Sequence, residues 1–468
     1  MSTRFRPSHV RLLIAVLWAT ACFCFFQWCY PYHFFYKEQN QLFLWSMDYV
    51  STYLWQPGWL AALAGDFLTQ FYYYLFAGAA ILTATLLVML WLLYTLMRQV
   101  RAPGWWALTV ALVLTTLEAD FHLRYDYPLS ATIGNIGLLT LATLALRTAR
   151  RRRWWVHAAA WVVALPLAYW LFLPPTTGRL TMPNWYLERQ FAVDNEYYFG
   201  QWDRVVTMVE SDPQPTPEML FYYNLVMAQR GQLPDVLLRH VPNTLGTFYR
   251  IGPDTPMLTI KNMNELYWAL GDMTFTERAA MMACVFSPNN RNNRMVRRLA
   301  ECALVSGDSL AARKFLGQLR QTFVWHDWAR RAPHSAYYKE KARLNNQQDT
   351  VAVSDNAHFI MMQLLDSNPH NEVALDYILC STLLLKDIEN FKRDYDRYCS
   401  REPRIRKLYQ EALCIWLAAK QAPEAQWQQY IKDPTVLQRF VQYNRQRGST
   451  AFSDTYWYYF DKQKAPEV

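Results

Sequence analysis

Five apolar stretches separated by charged loops fill the first third of the chain, and beyond residue 173 the pattern changes to amphipathic helical periodicity. The apolar stretches are 12–28 (LLIAVLWATACFCFFQW), 70–97, 105–117, 128–146 and 154–173. A helix needs roughly 20 apolar residues to cross the hydrocarbon core of a bilayer. Four stretches meet that length. The third, WWALTVALVLTTL, is short and crosses only with its flanking residues or in a thin environment. Between the first two, Leu42, Trp45, Tyr49 and Tyr53 recur at helical spacing, as do Leu60, Leu63 and Phe67, with a break at Pro57-Gly58. That pattern predicts two short amphipathic helices within residues 37–69, lying at the outer interface.

Residues 174–185 (PPTTGRLTMPNW) read as a linker. After it come pairs of helical stretches with a glycine between them, at Gly200, Gly231, Gly271 and Gly307, spaced by 31, 40 and 36 residues. Glycine at such a point fits the left-handed backbone that ends a helix. The period fits helix-turn-helix units of the tetratricopeptide kind. VALDYILCSTLLLKDIENF is a further pair with Lys386-Asp387 at the turn, and RKLYQEALCIWLAAKQ opens a last one. The pattern therefore predicts an all-α chain. Residues 1–173 form a bundle of about five transmembrane helices, 174–185 a linker, and 186–468 an extracytoplasmic tetratricopeptide-like helical-repeat domain, an α-solenoid.

Charge sets the orientation. Of the net +9, residues 1–175 supply 12 Lys/Arg against 6 Asp/Glu, and the remainder 35 against 32. Ten arginines lie at one end of the predicted crossings: Arg4, Arg6 and Arg11, then Arg98 and Arg101, then Arg147, Arg150, Arg151, Arg152 and Arg153. All six acids of this part lie in the other two loops. This asymmetry predicts a cytoplasmic N-terminus and, after five crossings, a C-terminal half outside the cytoplasm. The run RTARRRRWW then meets anionic headgroups, with Trp154 and Trp155 at the interface. Membrane segments flank it on both sides and the C-terminal half is nearly neutral, so no nucleic-acid partner is expected. Ala19-Thr20-Ala21-Cys22 has the look of a lipoprotein cleavage box, but the apolar run continues past it and argues against cleavage.

Few residues suggest chemistry. The outward loops carry Glu38, Asp48, Asp66, Glu118, Asp120, His122, Arg124 and Asp126. A first outward loop with surface helices and an acid resembles, in layout alone and over residues 10–97, the membrane glycosyltransferases of the C-type fold. That resemblance implies a lipid-linked sugar donor and an outward acid as base or metal ligand, with Glu38, Asp48 and Asp120 the candidates. The plain alternative is that these acids are solvated loop charges. Asn135 and His157 are polar residues in apolar stretches and are read as structural, Asn135 as a close helix contact and His157 as interfacial beside the arginine loop. An odd five cysteines in the C-terminal half, with no C-x-x-C, read as buried thiols. His326, His334, His358 and His370 are scattered. No zinc-protease, phosphate-loop or nucleophile-elbow motif is present, so no cofactor and no metal are expected.

The stretches FFYKEQNQLFLWSMDYV, QPGWLAALAGDFLTQFYYYLF and SNPHNEVALDYILCSTLLLKDIENF resemble a family of uncharacterised integral membrane proteins of Bacteroidota, catalogued as a domain of unknown function. The resemblance spans both parts. It implies a bacterial inner-membrane protein and carries no catalytic residue. The expected function is a membrane-anchored scaffold, docking an envelope protein on its repeats. The glycosyltransferase relative and a subunit of an envelope transport machine are the other readings.

Overall fold

The computed structural model describes residues 7–149, 164–173, 178–241, 254–344, 356–399 and 405–466, and among them all regular structure is helical. The chain forms two compact units. The first comprises Met1–Asn195 with Ser287–Arg297 and Arg313–Pro333; the second comprises Glu196–Phe286, Arg298–Ala312 and His334–Val468. The units therefore do not divide at residues 174–185: two later segments return to complete the first.

In the first unit, α1 (Pro7–Cys24) runs on through a π turn at Phe25–Cys29. Next come α2 (Tyr32–Gln39), α3 (Met47–Ser51), α4 (Trp59–Thr69), α5 (Ala77–Gln99), α6 (Gly104–Phe121) and α7 (Leu129–Ala149). Among the described residues, three helices are long and apolar enough to cross a membrane: Ser8–Cys29, Ala77–Gln99 and Leu129–Arg147. About five were expected. The short third stretch became α6 by taking Glu118 and Asp120 into its last turn, which makes the helix less apolar than the stretch that seeded it. Its 13 apolar residues alone cover only about 20 Å at 1.5 Å per residue. The first half of the fifth stretch lies outside the described residues, which show its second half as a helix at 164–172.

Helices α5, α6 and α7 pack together, and α4 lies on α7. Gly65 of α4 lets the backbones approach: a Cβ there would stand 2.6 Å from Ser130 Cα. Phe26, Tyr30, Phe34, Tyr72, Leu82 and Leu86 form a core between α1, α2 and α5. The loop after α1 holds three short helices, not the two expected, because α2 starts at Tyr32 and is buried while α3 and α4 cover the later residues. Leu42, Tyr49 and Tyr53 are buried, whereas Trp45 and Trp55 face outward.

The second unit is built from helical hairpins. Met257–Leu270 turns at Gly271 into Met273–Phe286, and Glu372–Leu384 turns at Lys386 into Ile388–Cys399. Gly200, Gly231, Gly271 and Gly307 have φ of 72, 66, 82 and 75°, Lys386 has 59° and Gln421 has 49°. Two backbone bonds close five of these six corners. At Gly271 they are Gly271 N–H to Trp268 O (3.3 Å) and Asp272 N–H to Tyr267 O (2.9 Å). The same pair of bonds recurs at Gly200, Gly231, Lys386 and Gln421. This Schellman arrangement satisfies carbonyls that a helix end leaves open. A Cβ at Gly200, Gly231 or Gly307 would meet nothing within 4 Å, so the backbone angle alone calls for glycine there. The aromatic run near the C-terminus is core material: Trp457 packs on Phe440 and Tyr443 and donates from Nε1 to Glu411 O (2.8 Å).

Candidate functional site

The polar residues of the first unit converge on α2, whose sequence YHFFYKEQ has too few aliphatic residues to stand as an ordinary core helix. Its two faces meet different partners. On one side, Glu38, Gln39 and Asn40 are buried against the segment SPNNRNNR (287–294). Asn293 Nδ2 donates to the Glu38 carboxylate and to its backbone O (3.0 Å). Arg294 donates to Gln39 Oε1 (2.9 Å) and to both oxygens of Asp194 (2.9 and 2.8 Å). Asn292 caps the helix Asn293–Ser306 by accepting from Met295 N (3.0 Å), and its amide donates to Asn40 Oδ1 (3.1 Å). Asn292, Asn293, Arg294 and Asp194 are all buried. The ion pair persists there because one guanidinium nitrogen, Nη1, makes charge-assisted bonds to both carboxylate oxygens.

On the other side of α2 stand His33 and Lys37, one turn apart. The Glu188 carboxylate caps this helix, accepting from the N–H groups of Tyr32 and His33. A carboxylate at a helix N-terminus is favoured by the helix dipole. Burial nonetheless pushes Glu188 up to about 8, against the pull of those two N–H groups and of Lys37. His33 is fully buried among Tyr30, Phe26 and Phe34, and neither ring nitrogen has a hydrogen-bond partner of good geometry. Burial, then Lys37, then His122 hold its pKa well below the usual histidine value, so the ring is neutral. Lys37 Nζ is buried with no hydrogen-bond partner. Burial pulls the amine down to about 7, opposed by Asp126 and Glu188.

Below this lies a locked carboxylate. Glu118, in the last turn of α6, accepts from Tyr127 OH (3.0 Å), Thr132 Oγ1 (2.6 Å) and Asn135 Nδ2 (3.1 Å). Because the Thr132 hydroxyl donates to Glu118, its oxygen accepts from His122 Nε2 (2.6 Å), which fixes the histidine as the Nε2–H tautomer. A relay of hydrogen bonds thus runs from His122 through Thr132 to Glu118. Burial, then Lys37, keep His122 well below the ordinary histidine value.

The three acids singled out as catalytic candidates stand in three separate settings. Glu38 is inside the Asn293 contact and 1% exposed, so it is not a loop acid facing solvent. Asp48 is exposed in the first turn of α3. Asp120 accepts from Thr181 N–H (3.0 Å). Asp66 accepts from Tyr53 OH (2.6 Å), and Arg291 lies over the Tyr49 ring at 4.1 Å. Asn135 contributes the bond to Glu118. Arg147 lies exposed near the end of α7; Arg150, Arg151, Arg152, Arg153, Trp154, Trp155 and His157 lie outside the described residues. Among the described residues no group of three or more His, Cys, Asp or Glu is placed to share a metal ion. Arg294, Asn293, Asp194 and Glu188 escaped the sequence reading. The one local signal was the unbroken polar run NNRNNR ahead of an amphipathic helix.

Long apolar helices beside a sealed polar head define a helical, membrane-associated protein. Within that class the chain belongs to the Family of unknown function (DUF6057), whose model matches residues 7–177 and 173–463. No curated protein and no solved structure matches the chain.

Proposed function

We propose that the protein is a membrane-anchored docking protein of the bacterial envelope, with its N-terminus in the cytoplasm, five crossings of the inner membrane, and a periplasmic surface of tetratricopeptide-like repeats that holds a protein partner. The observation that carries the docking reading is the series of Schellman-closed helical corners, at Gly200, Gly231, Gly271, Lys386 and Gln421. Repeated corners of one geometry suit a surface extended for protein contact.

Two end-to-end relations support the five crossings. A Cβ on Gly104 at the start of α6 would strike the Arg11 guanidinium, near the start of α1, while Tyr30 OH beyond the end of α1 donates to Leu123 O beyond the end of α6 (3.1 Å). The two helices therefore run parallel over the same height. Arg147 ends α7, and Leu173 O at the far end of the fifth stretch lies against Gly58 of the outward loop. With α6 and the fifth stretch as passes, the arginines keep to one side.

The test is a pair of alkaline phosphatase fusions, after residue 176 and after residue 468, with photo-crosslinking of the full-length protein in cells. Active fusions at both points and a discrete crosslinked protein band are expected. Inactive but intact fusions would place the hairpins in the cytoplasm and overturn the topology; absence of any crosslink would overturn docking.

A further inference from the structure

The second unit holds a cavity of about 350 Å³ whose walls include Leu238, Arg239, Lys407, Leu408, Glu411 and Asp454. Most of its charges are already matched. Asp454 accepts from Lys407 Nζ (3.0 Å) and from two nitrogens of Arg439 (2.9 and 2.6 Å). Arg239 pairs with Glu210 through one nitrogen. Glu411 is the exception. It is 2% exposed, its Oε2 accepts from Tyr456 N–H (2.7 Å), and its Oε1 is buried without a hydrogen bond. The nearest cation to Oε1 is Lys407 Nζ, at 3.7 Å.

An occupant must therefore bring a hydrogen-bond donor to Glu411 Oε1 and an acceptor to the free N–H groups of Lys407 and Arg239 (an ammonium donor would be repelled by the lysine beside it). The last residue of a peptide carries both, an amide N–H and a carboxylate oxygen about 3 Å apart by ordinary backbone dimensions, close to the Glu411–Lys407 separation. Leu238 and Leu408 supply an apolar wall for its side chain. Termini captured in this way gain a charge-assisted bond that internal peptide segments lack. We propose that this cavity binds the free carboxy terminus of a protein partner: the α-carboxylate sits between Lys407 and Arg239, the final amide N–H donates to Glu411 Oε1, and an apolar last side chain lies on Leu238 and Leu408. This rests on the docking reading above and names where and by what the partner is held.

The test uses the full-length protein in detergent with three fluorescent peptides read by anisotropy: a twelve-residue peptide ending in Ala-Val with a free carboxylate, the same peptide as the C-terminal amide, and acetyl-Ala-Val. The free acid is expected to bind at least tenfold tighter than the amide, and the twelve-residue acid tighter than the dipeptide. Lys407→Ala and Arg239→Ala should each weaken the acid at least fivefold and leave the amide unchanged, with helix content preserved by circular dichroism. Equal binding of acid and amide, or binding that survives the double substitution, overturns the proposal. Equal affinity of dipeptide and long peptide overturns a protein terminus in favour of a small carboxylate. If crosslinking still captures a partner in the Lys407→Ala, Arg239→Ala double variant, docking stands and only this cavity's role falls.

Discussion

One buried cation from each unit, Arg298 and Lys37, meets the cost of burial in opposite ways. In the second, Arg298 is held by Glu265 (2.6 Å), Glu301 (3.0 Å) and Asn264 Oδ1 (3.1 Å), with its guanidinium over the Trp268 ring at 4.3 Å. In the first, Lys37 Nζ is enclosed without a hydrogen bond, beside two neutral histidines. The guanidinium cannot give up its proton, so folding must supply anions. The ammonium can, so burial drives it towards the neutral amine, at the cost of a proton that the unfolded chain would keep. One arrangement is a lock that fails when a member is removed; the other is a standing cost that removal relieves.

That contrast is broken most sharply at Arg298. Arg298→Ala strands two buried carboxylates and should destabilise the second unit by about 3–5 kcal/mol, read as a lowered midpoint in chemical denaturation. A loss below about 1 kcal/mol would show that Glu265 and Glu301 are not dependent on it. Next comes Glu118→Ala, which leaves the donors of Tyr127, Thr132 and Asn135 without their acceptor. A loss of about 3 kcal/mol is expected, with Glu118→Gln recovering part of it. An unchanged thermal midpoint in both variants would mean that water replaces the carboxylate.

Lys37→Met should act the other way and raise stability. The folded amine titrates near 7 and the unfolded one near 10.5. Between those values the unfolded chain holds the proton that the folded chain has released, so wild-type stability rises with pH across the window. Methionine removes that rise, and its advantage is largest at pH 7 and below and fades towards 10.5. Glu188 works in reverse: with its folded value near 8 and its unfolded value near 4.5, its contribution falls as pH rises between them. The slopes oppose each other only between pH 7 and 8, so thermal midpoints at pH 8, 9 and 10 isolate Lys37. A variant gain that does not shrink over that range would refute the neutral-amine account. The smallest effect belongs to the open corners. Gly307→Ala should cost only about 1 kcal/mol, the cost of placing an L-residue in the left-handed region, because no neighbour crowds the new methyl.

The parts of the fold that local pattern controls were readable before any coordinates. Apolar runs at 12–28, 70–97 and 128–146 became the three membrane-length helices, because a continuous apolar stretch has few alternatives. The helical class followed from periodicity in the same way. The site was far less legible. Glu38 drew notice for its charge and its loop, yet what defines it is Asn293, 255 residues away. Hydrophobic spacing says which face of a helix is buried, but α2 buries His33, Glu38 and Gln39 beside Phe34 and Tyr36, so apolar periodicity begins only at Leu42 and gives no sign of this helix. Asp194 and Arg294 each look like ordinary surface charges in a one-dimensional reading, and only their pairing makes them core.

The return of Ser287–Arg297 and Arg313–Pro333 to the first unit also imposes an order of events on synthesis. Asp194 is made 100 residues before Arg294. At roughly 5–20 residues per second, synthesis leaves Asp194 without its guanidinium for on the order of 5–20 s and Glu38 without its amide for on the order of 13–50 s. The early helices must therefore wait with Asp194 and Glu38 still in contact with water. The first unit closes only when the later segments have emerged, so a nascent chain halted near residue 195 is an open intermediate and not a finished domain.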